Sequence, residues 1–120
     1  MTTSPTQRSL KWLRQRGFTA AITERWCGFS KRRIDLFGFI DIVALCPIGV
    51  VAVQTTSGAN VAARISKIRE LDAAKRWLDV GGHIVVHGWR KVGARGKRKL
   101  WECREVRLMW IEGEITEVQP

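Results

Sequence analysis

Tyrosine is absent from this 120-residue chain, and proline, methionine, histidine and cysteine are scarce, with three Pro, two Met, two His and three Cys. The cysteines, Cys27, Cys46 and Cys103, lie far apart with neither a C-x-x-C pair nor zinc-ligand spacing. That excludes a zinc module, and the odd count fits a reducing compartment rather than a disulfide scaffold. All three read as small buried apolar residues. His83 and His87 are four apart, but their segment reads as strand, so they share a face rather than form a helical ligand pair. No apolar run is long enough to span a membrane, and Met1-Thr2-Thr3-Ser4-Pro5 lacks signal-peptide character. The expectation is a soluble cytoplasmic protein. No internal repeat, Gly-rich phosphate loop, Ser-His-Asp arrangement or helix-turn-helix spacing is visible.

Acid is the other shortage. Eleven Asp and Glu stand against 21 Lys and Arg, a formal net charge of +10. Residues 1–100 hold 19 basic and 6 acidic side chains, and residues 101–120 hold 2 basic and 5 acidic. A small domain this basic attracts polyanions, nucleic acid foremost and an anionic membrane surface second. With 45% hydrophobic residues, the chain can build one real core, so residues 1–120 are taken as a single domain.

What is present is organised around Asp35–Ser57. Two short runs rich in Val, Ile and Phe flank Cys46-Pro47-Ile48-Gly49, which reads as two buried strands joined as a hairpin. With Pro47 and Ile48 as the loop, Cys46 faces Gly49 and Asp41 falls opposite Gln54. Opposed residues share a face, so Asp41, Gln54 and Thr56 should cluster. A carboxylate there must be paired, hydrogen-bonded or metal-bound, because an isolated buried charge is too costly. Asp35 shares the parity of Asp41, as do Phe37 and Phe39. It lies about 20 Å away along an extended strand and, unless the strand bends, is expected to pair with the nearby arginine run instead.

Around the hairpin, Thr6–Arg16 reads as a helix capped by Gly17, with Leu10 and Leu13 inward and Arg8, Lys11 and Arg14 as a basic stripe. Phe18–Trp26 reads as the first strand. It carries Glu24, the only acid in residues 1–33, amid eight basic residues. Glu24 is a candidate third carboxylate of the site or a partner for an arginine. Lys31-Arg32-Arg33 is a basic connector suited to phosphate. Val61–Leu78 reads as one long helix, Val61, Ile65, Ile68, Leu71 and Leu78 inward, with Arg64 and Lys67 on the flank nearest Gln54 and Thr56. His83–Trp89 and Leu100–Trp110 read as strands, with Trp101, Val106 and Trp110 as packing candidates. They enclose Arg90–Lys99, which has six basic residues in ten, including Arg95, Lys97, Arg98 and Lys99. That arm, flanked by Trp89 and Trp101, suits a nucleic-acid backbone. Glu112–Pro120 is an acidic tail, an edge strand or disordered.

Gly38-Phe39-Ile40-Asp41 followed by Val53-Gln54-Thr55-Thr56 resembles the PD-(D/E)XK nuclease superfamily, most closely the small Holliday-junction-resolvase and VRR-NUC-like nucleases of phages and archaea. The resemblance implies an α/β fold with a restriction-endonuclease-like αβββαβ core, a mixed central sheet flanked by helices, here with an added C-terminal β-hairpin. It implies Mg²⁺ or Mn²⁺ held by Asp41, Gln54 and the backbone carbonyl of Thr55. Thr56 stands where the family has a catalytic lysine, and the first helix lacks the acid many relatives carry. Lys67 or Arg64 could supply the missing charge, as in relatives whose lysine comes from the following helix. The implied activity is metal-dependent cleavage of DNA, as in a junction resolvase of phage or prophage origin acting on branched DNA as a homodimer. The alternative is a degenerate nuclease fold that binds nucleic acid without cutting it, which Thr56 and the neutral Gln54 favour.

Overall fold

The computed structural model describes residues 3–93, 96 and 98–118. Arg95 and Lys97 therefore lie outside the described residues. Among these residues the architecture is mixed α/β. A six-stranded mixed sheet is covered by one helix on one face and two on the other.

Helix α1 (Pro5–Gln15) starts where Ser4 accepts the amide of Gln7 and Pro5 fills the first turn, and Gly17 at φ +83° turns the chain out. Its buried side packs Leu13 onto Ala20, Ile42, Ala44, Val51, Val53 and Val85. Strand β1 (Thr19–Ile22) pairs antiparallel with β4 (Ile42–Cys46), which pairs antiparallel with β5 (Gly49–Ser57). The β4–β5 register is the one counted from the turn: Cys46 opposite Gly49, Leu45 opposite Val50, Ile42 opposite Val53.

The expected first strand, Phe18–Trp26, is two. At Thr23 and Glu24 the backbone leaves the sheet, both amides turning to the carbonyl of Asp41. The chain then forms a separate two-stranded hairpin, β2 (Arg25–Cys27) and β3 (Arg32–Ile34). The expected long strand from Asp35 is also broken. Leu36 and Ile40 exchange backbone hydrogen bonds of 3.0 Å in each direction, so residues 36–40 reverse on themselves, with Phe37 at φ +54° and Gly38 at +85°. Phe37 is consequently exposed and Phe39 buried, although parity had put them on one face.

After β5, a turn of 3₁₀ helix (Gly58–Asn60) leads into α2 (Val61–Arg69) and α3 (Asp72–Asp79). The single helix expected over Val61–Leu78 is interrupted at Leu71, whose backbone is extended (ψ 120°). The break lets Leu71 pack against the core cluster of Phe39, Ile40, Ile65 and Ile68, beside Gly38. Asp72 then opens α3 with an acid in its first turn.

Strand β6 (His83–Val92) lies parallel to β5, and β7 (Leu100–Ile111) and the edge strand β8 (Glu114–Val118) complete the sheet in the order β1-β4-β5-β6-β7-β8. The right side of the sheet buries Ile84, Val86, Val106, Leu108 and Ile115 under α2 and α3. Val106 is buried as expected, but Trp101 and Trp110 remain 43% and 40% exposed. Cations cover their rings instead: Arg8 sits 3.7 Å and Lys91 5.3 Å from the Trp101 centroid, and Lys75 5.2 Å from that of Trp110. Trp89 is buried, so of the two tryptophans beside the basic arm only Trp101 is open. None of the cysteines is fully buried. No helix is long and apolar enough to cross a membrane among the described residues.

Candidate metal centre and its cleft

The parallel pair β5–β6 with its helical crossover creates a crevice beyond the carboxyl end of β5, where open α/β sheets bind ligands. Here a cleft of about 660 Å³ is lined at its floor by Glu24, Asp35, Asp41, Gln54, Thr55 and Thr56. Arg32, Arg33, Arg64 and Lys67 line it as well. The flank of α2 thus reaches the motif residues as its spacing suggested. Lys31 is exposed on the neighbouring hairpin, and Arg98 and Lys99 are exposed on the β6–β7 arm. None of these three lines the cleft.

Asp41 is 3% exposed and Gln54 1%. Oδ2 of Asp41 accepts from Gln54 Nε2 at 2.7 Å, from the Thr55 amide at 2.8 Å and from Thr55 Oγ1 at 3.1 Å. Thr55 Oγ1 is in turn 2.7 Å from Thr6 Oγ1, which ties α1 to the site. Gln54 Nε2 also donates to Asp35 Oδ2 at 3.3 Å. Both acids thus hold the amide nitrogen of Gln54. Its Oε1 is buried with no hydrogen-bond partner among the described residues.

Asp35 is the residue the sequence reading misplaced. The reversal at 36–40 brings it back beside Asp41, and carboxylate oxygens of Glu24, Asp35 and Asp41 all lie within 4.8 Å of one another. Glu24 reaches them because the Thr23 and Glu24 amides are pinned to Asp41's carbonyl. It also pairs with Arg33 at 3.4 Å, the arginine contact that was its other reading. Arg33 is mostly exposed, so this contact compensates little charge.

Burial, followed by the shared hydrogen bond with Asp35, pushes Asp41 up to about 8, against the opposing pull of the Thr55 amide. A site this rich in carboxylate oxygen, with one carboxyl forced to hold a proton and an orphaned amide oxygen beside it, fits a hard divalent cation. Glu24, Asp35, Asp41 and Gln54 are the residues that would hold it. Thr55 contributes its amide and hydroxyl to Asp41, a role distinct from the carbonyl ligand the resemblance assigned. Thr56 is buried and brings no charge.

A second constellation was not visible in the sequence. Ser9 Oγ lies 2.9 Å from His87 Nδ1, and His87 Nε2 lies 3.0 Å from Glu105 Oε2. The order resembles a catalytic triad, but Ser9 and His87 are fully buried and Ser9 Oγ already accepts the Trp89 indole N–H at 2.8 Å. It is a satisfied core network joining α1 to β6 and β7. His83 shares the face of His87 and contacts Ile48's carbonyl and Arg107.

Comparison of the chain with protein-family models, with curated proteins and with solved structures finds no match.

Proposed function

We propose that this chain is a metal-dependent nuclease with a PD-(D/E)XK-like core, cleaving phosphodiester bonds of DNA. The observation that carries the reading is the convergence of Glu24, Asp35 and Asp41 within 4.8 Å beside the buried, half-satisfied Gln54. The element order supports it: helix, strand, a separate small hairpin, the β4–β5 antiparallel hairpin, helical crossover and a parallel strand, with Asp41 just before β4 hydrogen-bonded to Gln54 on β5. The cations lining the cleft support a polyanionic substrate.

In this reading Glu24, Asp35, Asp41 and Gln54 hold Mg²⁺ or Mn²⁺. When bound, the ion supplies Lewis-acid polarisation of the phosphate and a lowered pKa for water. Arg64 and Lys67 offset the charge that develops on phosphate oxygens, the task left open by Thr56. Arg32 and Arg33 hold the flanking backbone. The second reading, a nucleic-acid binder without cleavage, is favoured by Thr56, which brings no charge to the site.

The test is cleavage of a labelled four-way junction, linear duplex and single strand with Mg²⁺, Mn²⁺ or EDTA. Asp41→Asn and Asp41→Ala run alongside, with thermal melts to verify folding. Metal-dependent cutting lost in both folded variants supports the nuclease. Tight binding without cutting under either metal selects the second reading, and absence of binding rejects both.

A further inference from the structure

The β2–β3 hairpin stands apart from the main sheet and carries aromatic side chains into solvent. Phe29, in the loop between the strands, is fully exposed, and Trp26 is 60% exposed. An apolar ring left bare in water is informative when it is large and placed on a projecting element. Four cations, Arg25, Lys31, Arg32 and Arg33, share residues 25–34, which contain no acid. Trp26 lies opposite Arg33, so the two share a face. Arg33 in turn lines the metal cleft and contacts Glu24 there. The arm is thus continuous with one wall of the cleft.

Charge complementarity selects a polyanion, and the rings select its unpaired bases. Duplex DNA presents phosphate to a basic arm but keeps its base faces stacked inside. Only an unpaired nucleotide offers a π-face to a side chain beside the backbone track. Resting on the nucleic-acid reading above, we propose that Phe29 and Trp26 form a stacking platform for unpaired bases next to the cleft. The preferred substrate is then DNA with a single-stranded segment, such as a flap, overhang or opened branch, over intact duplex. Arg25, Lys31, Arg32 and Arg33 would track the backbone of that segment.

The experiment measures binding of the full chain, in EDTA so that nothing is cut, to a labelled single strand and to a blunt duplex of equal length. Wild type is compared with Phe29→Ala, Trp26→Ala and the aromatic exchange Phe29→Trp. A single strand carrying 2-aminopurine reports stacking as fluorescence quenching. Phe29→Ala is expected to weaken single-strand binding by about tenfold, within the range for one lost stacked base. It should leave duplex affinity and salt dependence unchanged, and abolish part of the quench. Phe29→Trp should restore both. Because both side chains are exposed, the variants should melt with the wild type.

Equal loss on single strand and duplex, or no loss on either, overturns the platform while leaving the nuclease reading intact. If wild type binds neither nucleic acid, both readings fall together. Anionic phospholipid vesicles bound in place of DNA, with Phe29→Ala releasing them, would reassign the arm to a membrane surface. Sedimentation showing that Phe29→Ala breaks a dimer, with DNA affinity unchanged, would reassign it to self-association.

Discussion

Replacing Asp41 with Asn changes how stability depends on pH, and the direction follows from the site. In the folded protein the Asp41 carboxyl is pushed up to about 8 from its ordinary 3.8, burial being the first cause and Asp35 the second. The folded state therefore holds a proton that the unfolded state releases above pH 4. Stability must fall as pH rises between those values, by at most about 1.4 kcal/mol per pH unit for one proton. From pH 5 to pH 8 the loss is at most about 4 kcal/mol, a large share of the roughly 6–18 kcal/mol expected for a domain of this size. The measurement is urea unfolding in EDTA across that range. Wild type should lose stability as pH rises, and Asp41→Asn should be nearly flat. Asp35→Asn should fall between them, since it removes the shared hydrogen bond and the like charge of a carboxylate within 4.8 Å, while burial still acts on Asp41. Mg²⁺ or Mn²⁺ should restore the alkaline loss in wild type, by about 2.7 kcal/mol at a hundredfold excess over Kd, and do little for Asp41→Asn. Glu105, held below its ordinary value by its hydrogen bond to His87, acts only on the acid side and in both proteins alike. Wild-type stability that is flat or rising from pH 5 to 8, or equal rescue of Asp41→Asn by metal, would refute the reasoning.

Other perturbations test the frame that holds the site. Gly88→Ala places a methyl 2.3 Å from Val61 Cγ2 and 3.3 Å from the Gly58 backbone, where α2 begins; a destabilisation of about 1–3 kcal/mol is expected in urea melts. Ser9→Ala strips partners from His87 Nδ1 and the Trp89 indole, both buried, and should cost about 1–3 kcal/mol without altering metal affinity measured by calorimetry. The thiols should react with maleimide in a fixed order. Cys27 is lowered by the Ser30 hydroxyl and neighbouring amides, Cys46 is raised by burial, and Cys103 is pushed up to about 12 by burial. Cys27 should label fastest and Cys103 slowest near neutral pH.

The register of the central hairpin was legible because a two-residue loop fixes every pair along the ladder, and so Asp41 could be set beside Gln54 from letters alone. The α2 flank was legible because helical spacing puts Arg64 and Lys67 on one side whether or not the helix continues past Leu71. Asp35 was not. Period-two parity assumes an unbroken strand, and the chain between Asp35 and Asp41 is a reversal. A signal existed: Asp followed three residues later by Gly is a turn pattern, and the Gly38 amide does bond to the Asp35 carbonyl at 3.1 Å. The apolar run Phe37-Gly38-Phe39-Ile40 outweighed it. The Ser9–His87–Glu105 network was illegible for another reason: it joins residues 78 and 18 positions apart, and only the packing of α1 across the sheet relates them.

The corrected position of Asp35 changes what the neutral Gln54 means. Taken from sequence alone, Gln in place of Glu leaves the site one negative charge short, which argues for a dead enzyme. With Asp35 and Glu24 beside Asp41, the carboxylate supply is restored from other positions, and a glutamate at 54 would add a fourth acid, itself buried, to three carboxylates already within 4.8 Å of one another. Gln54 suits such a site: its amide nitrogen bridges two carboxylates, at 2.7 and 3.3 Å, and its buried oxygen has no hydrogen-bond partner among the described residues. The charge lost at Gln54 and the charge lost at Thr56 are therefore different matters. Under the proposed nuclease reading the first would be compensated by the acids lining the cleft. The second has no substitute on β5 and under that reading would fall to Arg64 and Lys67, which line the same cleft from α2.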